Sequence, residues 1–67
     1  MDTMKIGDEL KKLRGNKTQE EIANAIGVSS AAIGMYERGD RIPRDEIKVK
    51  LANYFNTSVE SIFLQIN

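Results

Sequence analysis

Two helix starts and two helix stops crowded into residues 18–39 constrain this chain more than anything else in it. Thr18-Gln19-Glu20-Glu21 fits the S/T-x-x-E capping box, in which the threonine side chain accepts from the Glu21 N–H while the glutamate reaches back. Ile22, Ala23 and Ile26 follow at helical spacing. Gly27 stands where a left-handed stop residue is wanted, and Val28 behind it serves as an apolar plug. Ser29 is placed to cap another helix over 30–38, with Ile33 and Tyr36 turned inward and Gly39-Asp40 ending it. The span therefore predicts two short helices joined by a tight, glycine-containing turn, the helix-turn-helix unit. Ala23 and Gly27, both small, are expected to let the two helices approach closely and at a steep angle, with Val28 and Ile33 filling the space between them.

The flanking segments are helical too. Ile6, Leu10 and Leu13 recur at i, i+4, i+7 and predict a first helix over roughly 4–14, ended by Gly15-Asn16. Arg41-Ile42-Pro43 reads as a rigid extended connection, because proline fixes its own φ and keeps the preceding residue out of the helical region. Ile47, Leu51, Ala52 and Phe55 then share one face of a helix from about 45 to 55. Asn56-Thr57-Ser58 makes a turn and cap before a short last helix carrying Val59, Ile62 and Phe63. No strand-like alternation or internal repeat occurs, so the chain reads as one all-α domain over residues 1–67. A chain this short buries only about 60% of its unfolded surface, so its core must be economical. Cysteine is absent, no apolar run approaches the roughly 20 residues that span a bilayer, and the start lacks a signal pattern. A cytoplasmic protein is the expectation.

Gln19, Glu21, Ala23, Gly27, Val28, Ile33 and Glu37-Arg38-Gly39 form an ordered set more specific than any pair of packed helices. With the flanking Ile6-Gly7-Asp8-Glu9-Leu10, Leu13-Arg14 and Leu51-Ala52…Phe55-Asn56-Thr57-Ser58, the chain resembles the Cro/repressor (XRE) family of bacterial and phage DNA-binding domains over about residues 4–64. One departure is the connection from Arg14 to Gln19, about two residues shorter than usual, and no phosphate contact is carried over from that loop. The resemblance implies a compact five-helix, lambda-repressor-like fold with the third helix in the major groove, where its N-terminal residues meet base edges. By position, Gln19 would bind a DNA phosphate at the start of the second helix, where free N–H groups and the positive dipole end favour an anion. Ser29, Ser30, Ala31 and Met35 fall where the family reads bases, Ser29 serving also as a cap. Arg38, Arg41 and Arg44 would flank the groove and hold the backbone, fixing register but not sequence. The resemblance further implies a structural ion pair between Arg14 and Glu37, tying the first helix to the end of the third. Gly34 inside that helix costs about 1 kcal/mol relative to alanine, and either admits DNA closely or is a tolerated weakness.

Charge qualifies this reading. Ten basic and ten acidic residues cancel, and each half of the chain, 1–34 and 35–67, carries five of each sign. A DNA claim therefore rests on where the charges sit. The third helix begins without Arg, Gln or Asn, the side chains best suited to bidentate base contacts. Readout is expected to lean on thymine methyls, water bridges and DNA shape, with about three to five phosphate contacts per subunit and a moderate salt slope. One such domain spans a half-site, so a homodimer on a pseudo-palindromic operator is expected, with Leu64 and Ile66 left over from the last helix for a two-fold interface.

Rival functions are weaker. Histidine and cysteine are absent, which removes the usual acid–base, nucleophilic and transition-metal groups, and no phosphate-binding loop or cofactor motif is present. The acidic pairs Asp8-Glu9, Glu20-Glu21 and Asp45-Glu46 splay apart on a helix and make no catalytic dyad. An enzyme is not expected. The serious alternative is a helix-turn-helix module that binds another protein, as an antitoxin-like or adaptor subunit. Neutral charge and a bland third helix favour it; Gln19 and the arginines at 38, 41 and 44 favour a DNA-binding transcriptional regulator, a repressor.

Overall fold

Each helix begins at a side-chain cap except the fourth, and the caps set the architecture. In the computed structural model, which describes residues 2–64, these are α1 (Thr3–Arg14), α2 (Gln19–Ile26), α3 (Ser30–Arg38), α4 (Asp45–Tyr54) and α5 (Val59–Phe63). Asp2 Oδ1 accepts from the N–H groups of Met4 and Lys5 at 3.0 and 3.2 Å and starts α1 one residue before the apolar stripe suggested. The Thr18–Glu21 capping box is complete at the head of α2, and Ser29 and Ser58 accept from Ala32 and Ser61 N–H, each at 3.1 Å. Removing a cap of this kind costs about 1 kcal/mol.

Helix ends are equally local. At α3 the Asp40 N–H reaches back to the Met35 carbonyl at 2.9 Å, and Gly39 N–H to Tyr36, a Schellman closure with Gly39 at φ 76°. The same six-to-one bond recurs after α2, from Val28 N–H to Ala23, and after α4, from Thr57 N–H to Ala52, with Asn56 at φ 56°.

One core holds the five helices. Ile6 and Leu10 of α1, Ile22, Ala23 and Ile26 of α2, Ile33 and Tyr36 of α3, Leu51 and Ala52 of α4, and Ile62 and Phe63 of α5 are all buried together. Leu13, Val28, Ile47 and Phe55 pack around them, half-buried. The Cα radius of gyration is 10.5 Å, against about 11 Å for a compact chain of this length.

Gly27 is the left-handed stop expected of it, but the close helix approach also expected there needs correction. A Cβ built there meets nothing within 4 Å, so no close approach of helices depends on it. Its φ of 86° does, because a side chain in that region is strained. The close approach lies elsewhere, between α1 and α3: a Cβ on Gly7 would overlap the Glu37 carbonyl oxygen. The C-terminal turn of α3 is thus seated backbone to backbone on α1. Among the described residues no helix is long and apolar enough to cross a membrane.

Candidate nucleic-acid interface

The nine residues of α3 divide cleanly by face. Ile33, Gly34, Tyr36 and Glu37 are buried, whereas Ser30, Ala31 and Arg38 are exposed and Met35 is half-buried. Helical periodicity produces this division: the buried apolar positions face α1 and α2, which leaves the other arc to solvent. Gln19, the first residue of α2, stands beside that arc. Gln19, Ser30, Ala31, Gly34, Met35 and Arg38 line one shallow, open depression. Ser29, the N-cap of α3 and not among the lining residues, spends its oxygen on the Ala32 N–H and keeps its own O–H as a donor.

Beneath the depression lies the only buried charge among the described residues, Glu37. Its carboxylate accepts from Arg14 Nε at 2.6 Å and Arg14 Nη2 at 3.0 Å, the two-pronged geometry that suits a guanidinium to a carboxylate. It also accepts from Gln19 Nε2 at 3.0 Å. The side chain of Glu37 is 3% exposed and that of Arg14 is 20% exposed. Hydrogen bonding to Glu37, helped by its charge and opposed by burial, holds the Arg14 guanidinium above its ordinary basicity. Arg14 Nη1 additionally donates to the Lys17 carbonyl at 2.8 Å and thereby pins the short α1–α2 loop. Lys17 itself is drawn the other way, its ammonium 5.5 Å from the centre of the Tyr54 ring on α4.

The three arginines do not form one cluster. Arg38 belongs to the depression with Gln19, and its Nε donates to Asp40 Oδ2 at 3.0 Å. That pair is exposed, 63% and 59%, so it is weak and easily exchanged. Arg41 and Arg44 line a second concavity with Val28, Tyr36, Ile42, Glu46 and Ile47, across the α3–α4 connection. Arg44 occupies the N-cap position of α4 without a side-chain cap bond. Leu64 follows α5, 49% exposed, while Ile66 lies outside the described residues.

Sequence reasoning had no view of two contacts at this site. Gln19 is tied to Glu37 because the start of α2 meets the end of α3, which depends on how the two helices cross. Arg38–Asp40 carried a signal, opposite charges two apart around a turn glycine, that went unused. Among the described residues no group of acidic side chains is arranged to hold a metal ion.

Comparison with known proteins points the same way. The family described as Helix-turn-helix matches residues 10–62. An uncharacterised HTH-type transcriptional regulator of Archaeoglobus fulgidus is 39% identical over 49 residues, 73% of this chain and 69% of that protein. The uncharacterised HTH-type transcriptional regulator YazB of Bacillus subtilis is 38% identical over 52 residues, 78% of this chain and 74% of YazB. The cryptic phage CTXphi transcriptional repressor RstR of Vibrio cholerae is 36% identical over 61 residues, 88% of this chain but 54% of RstR. No solved structure matches.

Proposed function

The chain belongs to the Cro/repressor (XRE) family of helix-turn-helix proteins, and on that premise we propose that it is a DNA-binding transcriptional regulator, acting in the cytoplasm as a repressor. In this reading α3 lies in the major groove of duplex DNA, with Ser29, Ser30, Ala31 and Met35 against base edges. The observation that carries it is the convergence of Gln19, Ser30, Ala31, Met35 and Arg38 on one open depression beside the outward arc of α3. An amide, a hydroxyl, a methyl, a thioether and a guanidinium are what a groove offering phosphates, base acceptors and thymine methyls would engage.

Arg38 supplies a phosphate contact next to Gln19, and Arg41 and Arg44 supply others from the far side of the α3–α4 connection. The chain has no net charge, so each subunit contributes a handful of such contacts. Two subunits related by a two-fold axis would place their α3 helices about 34 Å apart on a pseudo-palindromic operator, joined through the exposed Leu64 end of α5.

Selection of bound duplexes from a random pool tests all of this together. The expected result is a pseudo-palindrome whose half-sites are separated by about one helical turn. Log K should fall with log salt with a slope of roughly −3 to −5 per subunit. Recovery of no duplex at about 50 mM salt, where backbone contacts are strong, would overturn the DNA reading in favour of a protein-binding module.

A further inference from the structure

Gly34 sits in the middle of α3, where glycine lowers helix stability relative to alanine. The space above its α-carbon shows what occupies the gap. A Cβ built on Gly34 would lie 3.1 Å from Arg38 Nη1, 3.6 Å from Gln19 Oε1 and 3.7 Å from Gln19 Nε2. Polar groups from two different helices therefore meet over one bare α-carbon, on the outward side of the domain. Gln19 is also held there from below, through the bond from its Nε2 to Glu37. The charge of Glu37 is balanced by the two bonds from Arg14, so the amide is anchored on a neutralised carboxylate rather than on a naked one.

Resting on the DNA-binding reading above, we propose that Gly34 is a positioning residue. It is the seat on which the Gln19 carboxamide and the Arg38 guanidinium are brought together as a composite clamp for one backbone phosphate. The chemistry follows from donor counting. A carboxamide has two N–H bonds. One of Gln19's goes to Glu37, which fixes the plane of the group and leaves the other for a phosphate oxygen. Arg38 brings the positive charge from the opposite edge of the seat. A methyl group at position 34 would stand in ordinary contact with the Gln19 carboxamide but would press the Arg38 guanidinium away from it by a few tenths of an ångström. Arg38 is exposed and yields without bending α3.

Stability and binding are thus expected to move in opposite directions in Gly34→Ala. Its melting temperature should rise by about 4–8 °C, from the gain in helix propensity. Its Kd for a duplex recovered by the parent protein from a random pool should rise about tenfold, the loss of one hydrogen bond to a charged group. In a Gln19→Ala, Arg38→Ala background measured at about 50 mM salt, adding Gly34→Ala should change Kd by less than about twofold, because the clamp is already gone. If the parent binds and Gly34→Ala binds equally well, or melts lower, the seat does not exist. If the tenfold loss persists in the double background, the gap serves the DNA itself and the proposal is overturned. Failure of the parent to recover any duplex would instead strike the DNA-binding reading on which this rests.

Discussion

Replacing Glu37 by alanine removes the acceptor of three hydrogen bonds at once, two from Arg14 and one from Gln19. Breaking a buried pair by deleting one partner costs about 3–5 kcal/mol, mostly through the charge left behind. The lower figure applies here. Arg14 is 20% exposed and recovers some water, and its bond to the Lys17 carbonyl survives. A 67-residue chain unfolds with an entropy of about 0.14 kcal/mol/K, so about 3 kcal/mol corresponds to a fall of roughly 20 °C in melting temperature. Against a total stability of about 3–10 kcal/mol, that is a large share. Duplex affinity, measured well below the variant's transition, should change by less than about tenfold, since Glu37 is buried and its one bond toward the proposed interface is that to Gln19. Far-UV circular dichroism during heating, paired with fluorescence anisotropy on a labelled duplex in the cold, reads both quantities. A melting temperature within about 5 °C of the parent would refute the assignment of Arg14–Glu37 as a structural tie. The effect should also be independent of pH in the neutral range. A group whose basicity is raised by folding gives its full stabilisation below its unfolded pKa and loses it as pH rises through the folded one. For Arg14, raised above an already strongly basic value, that window lies in strong alkali, so the drop in Tm should be equal at about pH 7 and about pH 9.

Three further outcomes are expected. Gly7→Ala should destabilise by about 2–3 kcal/mol in denaturant titration, because its Cβ meets the Glu37 carbonyl and backbone cannot step aside; a loss under about 0.5 kcal/mol would mean that α1 slides freely over α3. Asp40→Asn releases Arg38 from an exposed competitor, and the duplex Kd should fall about two- to fivefold with little change in Tm; unchanged affinity would place Arg38 off the DNA backbone. Leu64→Glu should leave the fold within about 0.5 kcal/mol of the parent and weaken binding to a palindromic duplex more than to a single half-site. Equal weakening on both duplexes would remove Leu64 from any two-fold interface.

Much of the fold was legible because its boundaries are written in single residues. Thr18, Ser29 and Ser58 stand where they cap, and Gly27 and Gly39 stand where backbone must turn left-handed. The Asp2 cap leaves no mark in the apolar stripe of the first helix, which starts later than the cap does. Of the two roles the sequence offers Gly27, the left-handed stop holds and the close approach of helices does not: smallness and positive φ leave the same letter in a sequence, and only the open space around it separates them. Gly7, where two backbones meet, lies in an amphipathic stretch whose pattern carries no mark of the partner it meets. At the candidate site period alone predicts Ile33 and Tyr36 inward, whereas Ser30, Ala31 and Met35 stand out only through the family resemblance. Arg38 lines one concavity and Arg41 and Arg44 another, across the turn at Gly39 and the extended stretch through Pro43, a separation that no local pattern shows. The bond between Gln19 and Glu37 joins residues 18 apart and depends on a crossing angle, which no local pattern encodes.

The division of α3 into two faces has a consequence for how such a domain changes over time. Ile33, Tyr36 and Glu37 anchor the helix, and a mutation there is screened first by folding. Ser30 and Ala31 are exposed, so they can be rewritten at almost no cost to the scaffold, and the half-buried Met35 at a modest one. With those three residues reading DNA as proposed, target preference and foldedness would be inherited on separate letters of the same nine-residue helix, and a lineage would be free to drift from one operator to another without passing through an unfolded ancestor. Gly34 and Glu37 are the two places where that independence fails, since each shapes the outward surface from within.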